Sequence, residues 1–182
     1  LEQKATFSIG ATPFLKELLD EALHQGTGLP GFRLFVCGGA AVPPDLIMRA
    51  AAEMEDCIAC RVFGSTEVPM VSKGYVSRDD LRLAAETDGR IVGYDVKITP
   101  IDEAQDLVPA GSGEEGEICA RGDGMFLRYT SAEETARAFD DEGYFRTGDL
   151  GRITEEGAIT VTGRIKDLII RGGENLSPAE IE

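Results

Sequence analysis

Histidine is nearly absent from this sequence, with His24 the single example in 182 residues, and no G-x-S-x-G motif occurs. A hydrolase triad needs a nucleophile beside a histidine base, so a serine or cysteine hydrolase is unsupported. Cysteine is also scarce, and four residues do not make a disulfide scaffold. Cys57 and Cys60 form a C-x-x-C pair in an apolar run, which predicts two small buried side chains rather than a metal or redox site.

Long apolar runs are missing as well, and basic residues are far fewer than acidic ones. LFVC (34–37) is among the longest apolar runs, and the first residues lack a signal-peptide pattern, so we expect no membrane span and a cytoplasmic location. The 18 Lys and Arg face 33 Asp and Glu, for a formal net charge of −15. An acidic surface repels phosphate backbones, so nucleic acid is not an expected partner. Backbone donors, a few cations or a metal ion must therefore hold any anionic ligand.

Alternating helix and strand patterns occupy the first half of the sequence. Thr12-Pro13 opens a segment with apolar residues at helical spacing, and a second such segment begins at Pro43. The apolar runs FRLFVC (32–37) and CIACRVF (57–63) follow these segments and predict buried strands. A strand–helix–strand order favours a parallel sheet, so the predicted fold class is α/β.

The pattern changes after this α/β portion. YDVKITP (94–100), EICARG (117–122) and AITVTG (158–163) are short and largely alternating, which predicts a small antiparallel β subdomain. Ser131 and Glu134 form a capping box that begins one short helix. We expect a partial α/β subdomain at 1–90, a small β-rich subdomain at 91–162, and a hinge with the start of a further domain at 163–182.

Two polar segments follow the predicted buried strands, where open α/β sheets bind ligands. Gly38-Gly39-Ala40 follows the first strand and FGSTE (63–67) follows the second. In FGSTE a glycine allows close backbone approach, the two hydroxyl residues can donate to phosphate, and Phe63 offers a flat face for a purine. Glu67 beside a phosphate requires a cation such as Mg²⁺. Taken singly, each segment is more simply an ordinary turn or polar loop.

A third polar segment, YFRTGDLG (144–151), places Asp149 in a predicted turn between two β segments. A carboxylate there can accept both hydroxyls of a ribose, and the simpler alternative is a turn aspartate satisfied by neighbouring amides. GSGEEG (111–116) lacks the preceding strand and following helix of a dinucleotide fingerprint, so we interpret it as a hairpin turn.

Five segments occur in the order and at roughly the spacing found in one protein family: GGAAVPPDL (38–46), RVFGSTE (61–67), GEICARG (116–122), YFRTGDLG (144–151) and GRIKDLIIRGGENLSPAEIE (163–182). The sequence resembles the adenylate-forming superfamily, which includes acyl-CoA synthetases, peptide-synthetase adenylation domains and firefly-type luciferases. It looks most like bacterial medium-chain or cyclohexanecarboxylate-type CoA ligases. The resemblance implies the central part of an AMP-forming acyl-CoA synthetase that uses ATP, Mg²⁺ and CoA.

The resemblance also implies a role for each matching position. Thr66 matches the residue that binds the α-phosphate, Glu67 the one that holds Mg²⁺, and Asp149 the ribose-binding carboxylate. Arg164 would contact the ribose or a phosphate. Gly38, Gly39 and Ala40 would lie along the adenine, and Phe63 would stack on it. Gly64 and Ser65, in the FGSTE segment, would also contact the nucleotide, and Gly172 and Gly173 would line the pantetheine channel.

Three further positions would match the hinge between domains and the pocket for the acyl group. Lys166 falls at the family's hinge, a position that is more often Asp, where a backbone rotation swings the C-terminal domain between two half-reactions. Val68 and Met70 match the wall of the acyl pocket and would favour an apolar acyl group. Residues after a binding loop are equally often part of the hydrophobic core, with no contact to a ligand. For Val68 and Met70 a role in the acyl pocket and a role in the core therefore both stay open.

The implied reaction begins with a carboxylate, which is already an anion and attacks the α-phosphorus of ATP without a general base. The family's upstream phosphate loop and late catalytic lysine have no counterpart in these 182 residues, so we expect this piece to be inactive alone. Two alternatives stay open: an amino-acid-adenylating domain of a peptide synthetase, and a non-catalytic nucleotide-binding or interaction module.

Overall fold

The computed structural model describes residues 4–39, 41–99 and 114–167, together with the strands 169–171 and 174–176. The chain divides into two units, which we call the αβ unit (Leu1–Gly64 with Ser72–Arg90) and the β unit (Ser65–Val71 with Ile91–Glu182). No helix in the described part of the chain combines the length and the apolar composition that a membrane crossing requires. The finer division at 1–90, 91–162 and 163–182 stays a prediction.

A three-stranded parallel sheet in the order β1–β2–β3 forms the centre of the αβ unit. The predicted parallel strands and their connecting helices are confirmed, whereas a first strand and a third helix were not predicted because each is too short to show a clear period. The elements are β1 (Phe7–Gly10), α1 (Thr12–His24), β2 (Leu34–Cys37), α2 (Pro44–Glu53), β3 (Ile58–Arg61), β4 (Ser72–Lys73), a 3₁₀ turn (Arg78–Asp80), α3 (Leu81–Glu86) and β5 (Arg90–Ile91) at the boundary between units.

The core of this unit lies between the sheet and its helices. Leu15 and Leu19 of α1, Ile47 of α2, and Met54 directly after α2 are fully buried and share one apolar cluster with Phe35 of β2. A proline stands in the first turn of each helix, where its missing N–H has no intrahelical partner to lose. Burying one such apolar side chain contributes about 1.5–3 kcal/mol, so the helical spacing of the apolar residues places both helices against the sheet.

The β unit contains a four-stranded antiparallel sheet in the order β6–β7–β8–β9. The capped helix is confirmed, because the Ser131 hydroxyl accepts a hydrogen bond from the Glu134 N–H at 3.2 Å. The elements are β6 (Asp95–Thr99), β7 (Gly116–Arg121), α4 (Ala132–Ala138), β8 (Phe145–Ile153), β9 (Ile159–Arg164), a 3₁₀ turn (Ile165–Asp167), and β10 (Ile169–Arg171) paired with β11 (Glu174–Leu176).

The prediction of a turn at Asp149 is wrong, because β8 runs through this position as one continuous strand. Between the paired residues Cys119–Arg146 and Glu117–Leu150, residues 147–149 of β8 stand opposite Ile118 alone. Gly148 has a φ of +72°, a left-handed conformation that glycine adopts without strain. The glycine therefore marks a bulge inside the strand rather than the end of a strand.

All four cysteines are buried and free, and the predicted burial of Cys57 and Cys60 is confirmed. Burial raises the pKa of the Cys57, Cys60 and Cys119 thiols to about 11. Because the thiolate is the reactive form, these side chains behave as small apolar residues near neutral pH.

We expect iodoacetamide near neutral pH to leave Cys57, Cys60 and Cys119 unlabelled in the folded protein. The thiolate is a minor species at that pH, and burial keeps the reagent away from it. Peptide mass spectrometry after brief labelling measures each cysteine separately, with a urea-unfolded sample as the control in which all of them react. Rapid labelling of native Cys57 or Cys60 would contradict their burial.

Candidate functional site

The carboxyl ends of the three parallel strands lie together at one edge of the αβ unit. The Gly38 N–H donates to the carbonyl of Gly10 at 3.3 Å, and the Val62 N–H donates to the carbonyl of Cys37 at 3.0 Å. A Cβ added to Gly38 would lie 3.1 Å from the Val62 carbonyl oxygen, so this close approach favours glycine. Gly39 follows with a φ of +79°. The edge predicted to lie along an adenine is therefore closely packed backbone.

Phe63 and Gly64 continue the chain from this edge. The Phe63 N–H donates to the Ser72 hydroxyl at 2.8 Å, and the Phe63 carbonyl accepts from the Ser72 N–H at 3.1 Å. Phe63 is only 8% exposed, whereas Gly64 is exposed. Phe63 is therefore a buried residue in this structure, and its stacking on adenine stays a prediction.

A polar loop in the β unit, Ser65–Val71, carries Thr66 and Glu67. The Ser65 N–H donates to the Val68 carbonyl at 3.1 Å and the Ser65 hydroxyl accepts from the Val68 N–H at 3.3 Å, which closes a turn with Thr66 exposed. Val68 is fully buried, which favours a packing role for its side chain, whereas Met70 is exposed.

Glu67 is held by two hydrogen bonds from the segment that precedes α4. The Tyr129 hydroxyl donates to Glu67 Oε1 at 2.9 Å, and the Phe126 N–H donates to the Glu67 carbonyl at 2.7 Å. Partial burial opposes ionisation, but hydrogen bonds from its own N–H, from Tyr129 and from Ser65 prevail and hold the pKa of Glu67 below its ordinary value. Glu67 is therefore a carboxylate at neutral pH.

The donor set around Glu67 fits a metal ion that arrives with a nucleotide. Among the residues that the structure describes, no three His, Cys, Asp or Glu side chains come together as a ready-made metal site. Mg²⁺ is commonly held by one or two carboxylates together with substrate phosphates and water. One ionised glutamate beside the exposed Thr66 matches that manner of binding.

Asp149 and Arg164 stand opposite each other on strands β8 and β9. The Arg164 Nε–H donates to Asp149 Oδ1 at 2.8 Å, and Asp149 is 6% exposed. Burial raises the pKa of the Asp149 carboxyl, and the cations of Arg164 and of Lys166, in the 3₁₀ turn after β9, oppose the rise. This pair combines a carboxylate acceptor with a cationic donor at one place in the sheet.

The bulge that carries Asp149 is supported by a buried glutamate. Glu117, 2% exposed, accepts from the Gly148 N–H at 2.9 Å and from the Arg146 Nε–H at 3.2 Å. The Thr147 hydroxyl donates to the Ile118 carbonyl at 2.7 Å and accepts from the Asp149 N–H at 3.1 Å. These bonds pair the backbone groups that the bulge removes from the strand ladder.

Sequence reasoning missed two of these supporting residues. Glu117 does carry a signal, since it is the one acidic residue in the otherwise largely apolar strand motif GEICARG. Tyr129 carries no local signal, because its partner Glu67 lies 62 positions away along the chain.

The predicted site residues are shared between the two units. The αβ unit contains Gly38, Gly39, Phe63 and Gly64, and the β unit contains Ser65, Thr66, Glu67, Val68, Met70, Asp149, Arg164 and Lys166. The predicted positions Ala40, Gly172 and Gly173, and the helix start expected at Ser177, lie outside the described residues.

Comparison with known proteins decides the family. The profile of AMP-binding enzymes matches residues 1–130. The chain belongs to the AMP-binding enzyme family. A medium-chain fatty-acid–CoA ligase of Escherichia coli strain K12 is 39% identical over 184 residues, covering 100% of this chain and 31% of that protein. Triostin synthetase I of Streptomyces triostinicus is 39% identical over 150 residues, covering 82% of this chain and 28% of that protein.

The matching part of a solved structure with bound nucleotide has the same fold as this chain. The O-succinylbenzoate coenzyme A synthetase MenE of Bacillus subtilis, in complex with ATP and magnesium ion, matches with a TM-score of 0.79 at 26% identity, covering 100% of this chain and 36% of that chain. The resemblance to the adenylate-forming superfamily and the α/β fold class are thereby confirmed. The chain spans about a third of the length of the curated relatives it matches.

Proposed function

We propose that the protein to which this chain belongs is an ATP-dependent carboxylate–CoA ligase. Its substrate is a fatty or alicyclic carboxylic acid, which it converts to an acyl-adenylate and then to an acyl-CoA. The observation that carries the proposal is the Asp149–Arg164 pair, at the positions that the family resemblance gives to ribose binding. The similarity to a medium-chain fatty-acid–CoA ligase supports the acyl class.

In the first half-reaction the residues of this chain bind and orient ATP. Asp149 accepts the ribose hydroxyls, Arg164 donates to the ribose or a phosphate, and the Thr66 hydroxyl donates to an α-phosphate oxygen. Glu67 would hold Mg²⁺, which would supply positive charge to offset the negative charge of the phosphate oxygens. The substrate carboxylate forms a bond to the α-phosphorus as the bond to pyrophosphate breaks, and no general base is needed because no proton moves.

In the second half-reaction the CoA thiol gives up its proton to water, its sulfur forms a bond to the acyl carbon, and the bond from that carbon to AMP breaks with AMP as the leaving group. We assign the hinge between the two half-reactions to Lys166, which lies in the 3₁₀ turn directly after β9. Gly172 and Gly173 would line the pantetheine channel. For the acyl pocket, exposed Met70 is better placed than fully buried Val68 to meet a substrate.

The adenine would lie along the backbone of Gly38, Gly39 and Ala40. Support comes from the closeness of Gly38 to Val62, which leaves no room for a side chain on Gly38. Phe63 would stack on the purine, and Gly64 with Ser65 would approach the phosphates.

An amino-acid-adenylating domain is the second candidate. The 39% identity to triostin synthetase I over 82% of this chain favours it. The two functions share the first half-reaction and differ in the acid that is activated and in the thiol that accepts it.

A substrate screen on the full-length protein separates the candidates. We expect pyrophosphate release from ATP with medium-chain or alicyclic acids, and an acyl-CoA detected by mass spectrometry only when CoA is present. Thr66→Ala is the matched variant that should slow release with the same acids. Release with amino acids alone would establish the second candidate, and no release with either class would overturn both.

A further inference from the structure

Glu67 is attached at both its main chain and its side chain to one segment of the β unit. The Phe126 N–H donates to its carbonyl at 2.7 Å, and the Tyr129 hydroxyl donates to Oε1 at 2.9 Å. The first bond places the backbone of the glutamate, and the second selects one orientation of its carboxylate. A carboxylate has about four acceptor positions, so the hydrogen bonds from Tyr129, from Ser65 and from the N–H of Glu67 itself still leave room for a ligand.

Tyr129 is itself fixed by the groups around it. Its ring packs on Phe126 with 4.7 Å between centroids. Its N–H donates to the Thr135 hydroxyl at 3.1 Å, and that hydroxyl donates to the Ser131 carbonyl at 2.8 Å at the start of α4. The phenol oxygen is therefore held by a ring contact and by an anchored backbone.

The Phe126 ring, on which Tyr129 packs, also contacts the strand that carries Asp149. The Phe126 ring lies 5.5 Å from the ring of Phe139, and 5.2 Å from the ring of Phe145, the first residue of β8. Glu67 is thus linked through Tyr129 and Phe126 to β8, and both proposed nucleotide-binding carboxylates belong to one packed structure.

A glutamate side chain that is free in solution must lose rotamer freedom to bind a ligand, and this loss opposes binding. A hydrogen bond that orders the side chain beforehand removes part of that cost. Partners of this kind around metal ligands set the orientation of the ligand without touching the metal.

We propose that Tyr129 is a positioning residue that orients the Glu67 carboxylate toward the Mg²⁺ bound with the nucleotide. This inference rests on the proposed function, because it takes Glu67 as the metal ligand. Tyr129 contacts neither the metal nor the reacting atoms. Its removal should weaken metal binding while nucleotide binding without metal is unchanged.

The test compares the full-length enzyme with its Tyr129→Phe variant, which removes one hydroxyl and keeps the ring that packs on Phe126. Binding of Mn²⁺, a paramagnetic substitute for Mg²⁺, is measured by electron paramagnetic resonance with a saturating non-hydrolysable ATP analogue. We expect the Kd for Mn²⁺ to rise about tenfold. Calorimetry of AMP binding in EDTA should give the wild-type Kd within about twofold, because the ribose and adenine contacts do not involve Tyr129.

The matched control is Tyr144→Phe. The Tyr144 hydroxyl also donates to a carboxylate of the β unit, that of Asp95, but it makes no contact with Glu67. This variant should bind Mn²⁺ and AMP as the wild type does. Equal losses of Mn²⁺ binding in the two variants would overturn the inference by showing that any phenol–carboxylate bond in this unit has the same effect.

Glu67→Gln distinguishes failure of the inference from failure of the proposed site. If Glu67→Gln loses Mn²⁺ binding and Tyr129→Phe keeps the wild-type Kd for Mn²⁺, the positioning role of Tyr129 is overturned and the proposed function stands. If Glu67→Gln binds Mn²⁺ as tightly as the wild type, Glu67 is not the metal ligand and the assignments of both residues fall. A parallel loss of Mn²⁺ and AMP binding in Tyr129→Phe would reduce Tyr129 to a general structural role.

Discussion

Asp149→Asn in the full-length enzyme is expected to lower kcat/KM for ATP by about a hundredfold, a loss of roughly 2.8 kcal/mol of transition-state binding. The substitution keeps the shape of the side chain and removes its charge. Hydrogen bonds to a charged acceptor contribute about 1.5–3 kcal/mol each, against about 0.5–1.5 for neutral ones, and the ribose offers two hydroxyls. Steady-state pyrophosphate release at varied ATP concentration measures the effect.

The same substitution should not lower stability at neutral pH. Burial holds the folded-state pKa of Asp149 above the ordinary value of 3.8. Such a carboxyl ionises less readily in the folded protein, so stability falls as pH rises through the ordinary value and the loss is complete above the folded-state pKa. Asparagine cannot ionise, so Asp149→Asn should have a Tm at least equal to the wild type at neutral pH, with any gain vanishing below pH 3.8.

A second cross-strand Asp–Arg pair in the same sheet provides the control. Asp95 on β6 stands opposite Arg121 on β7, with 3.0 Å between the charged groups and side chains 60% and 45% exposed. Asp95→Asn removes a charge of the same kind from a position without a proposed ligand. A comparable loss of kcat/KM in this variant, or full activity of Asp149→Asn, would contradict the ribose-binding role.

Asp88→Ala is expected to destabilise the αβ unit by about 3–5 kcal/mol. The Asp88 carboxylate receives two hydrogen bonds from Arg61, at 3.0 Å and 2.7 Å, and the two side chains are only 9% and 8% exposed. Removing the carboxylate leaves the guanidinium charge buried beside one remaining acceptor, the Ala85 carbonyl at 2.9 Å. Equilibrium urea unfolding gives the change in the free energy of unfolding.

An exposed ion pair serves as the control for the buried Arg61–Asp88 pair. Arg137→Ala breaks the solvent-exposed pair with Glu133 on α4 and should change stability by at most about 0.5 kcal/mol. The double variant Arg61→Met with Asp88→Leu replaces both buried charges by apolar groups and should recover most of the loss. A double variant as unstable as Asp88→Ala would show that the effect comes from packing and not from the unpaired charge.

The Asp88 prediction extends to the candidate site through Ser72. The Ser72 hydroxyl donates to the Asp88 carbonyl and accepts from the Phe63 N–H at 2.8 Å. Movement of the backbone at Asp88 is therefore transmitted to the proposed adenine-stacking residue. ATP binding should weaken in Asp88→Ala even at low temperature, where the protein stays folded.

Local patterns predicted those elements whose cause is local. The helices α1 and α2 follow from apolar residues at helical spacing and from prolines in their first turns. The start of α4 follows from a capping residue three positions before its partner. Strand β1 was not predicted, because its four residues acquire strand geometry only by pairing with β2.

Some features of the candidate site could likewise be predicted from local sequence, and others could not. Thr66, Glu67, Asp149 and Arg164 could be proposed from sequence, because their motifs keep the order found in the family that the sequence resembles, and their ligand contacts stay predictions. The strand bulge at residues 147–149 could not, since a glycine in a strand and a glycine in a turn look alike until the partner strand sets the register.

The sequence by itself determined the family, the α/β class and the chemical type of the proposed contacts, because hydrophobic periodicity and ordered motifs are properties of neighbouring residues. Only the tertiary structure decided that Tyr129 meets Glu67, that Glu117 supports the bulge at Gly148, and that Val68 is buried while Met70 is exposed. Hydrogen bonds and burial depend on distances in space, and chain folding brings together groups whose separation in sequence carries no trace of the contact.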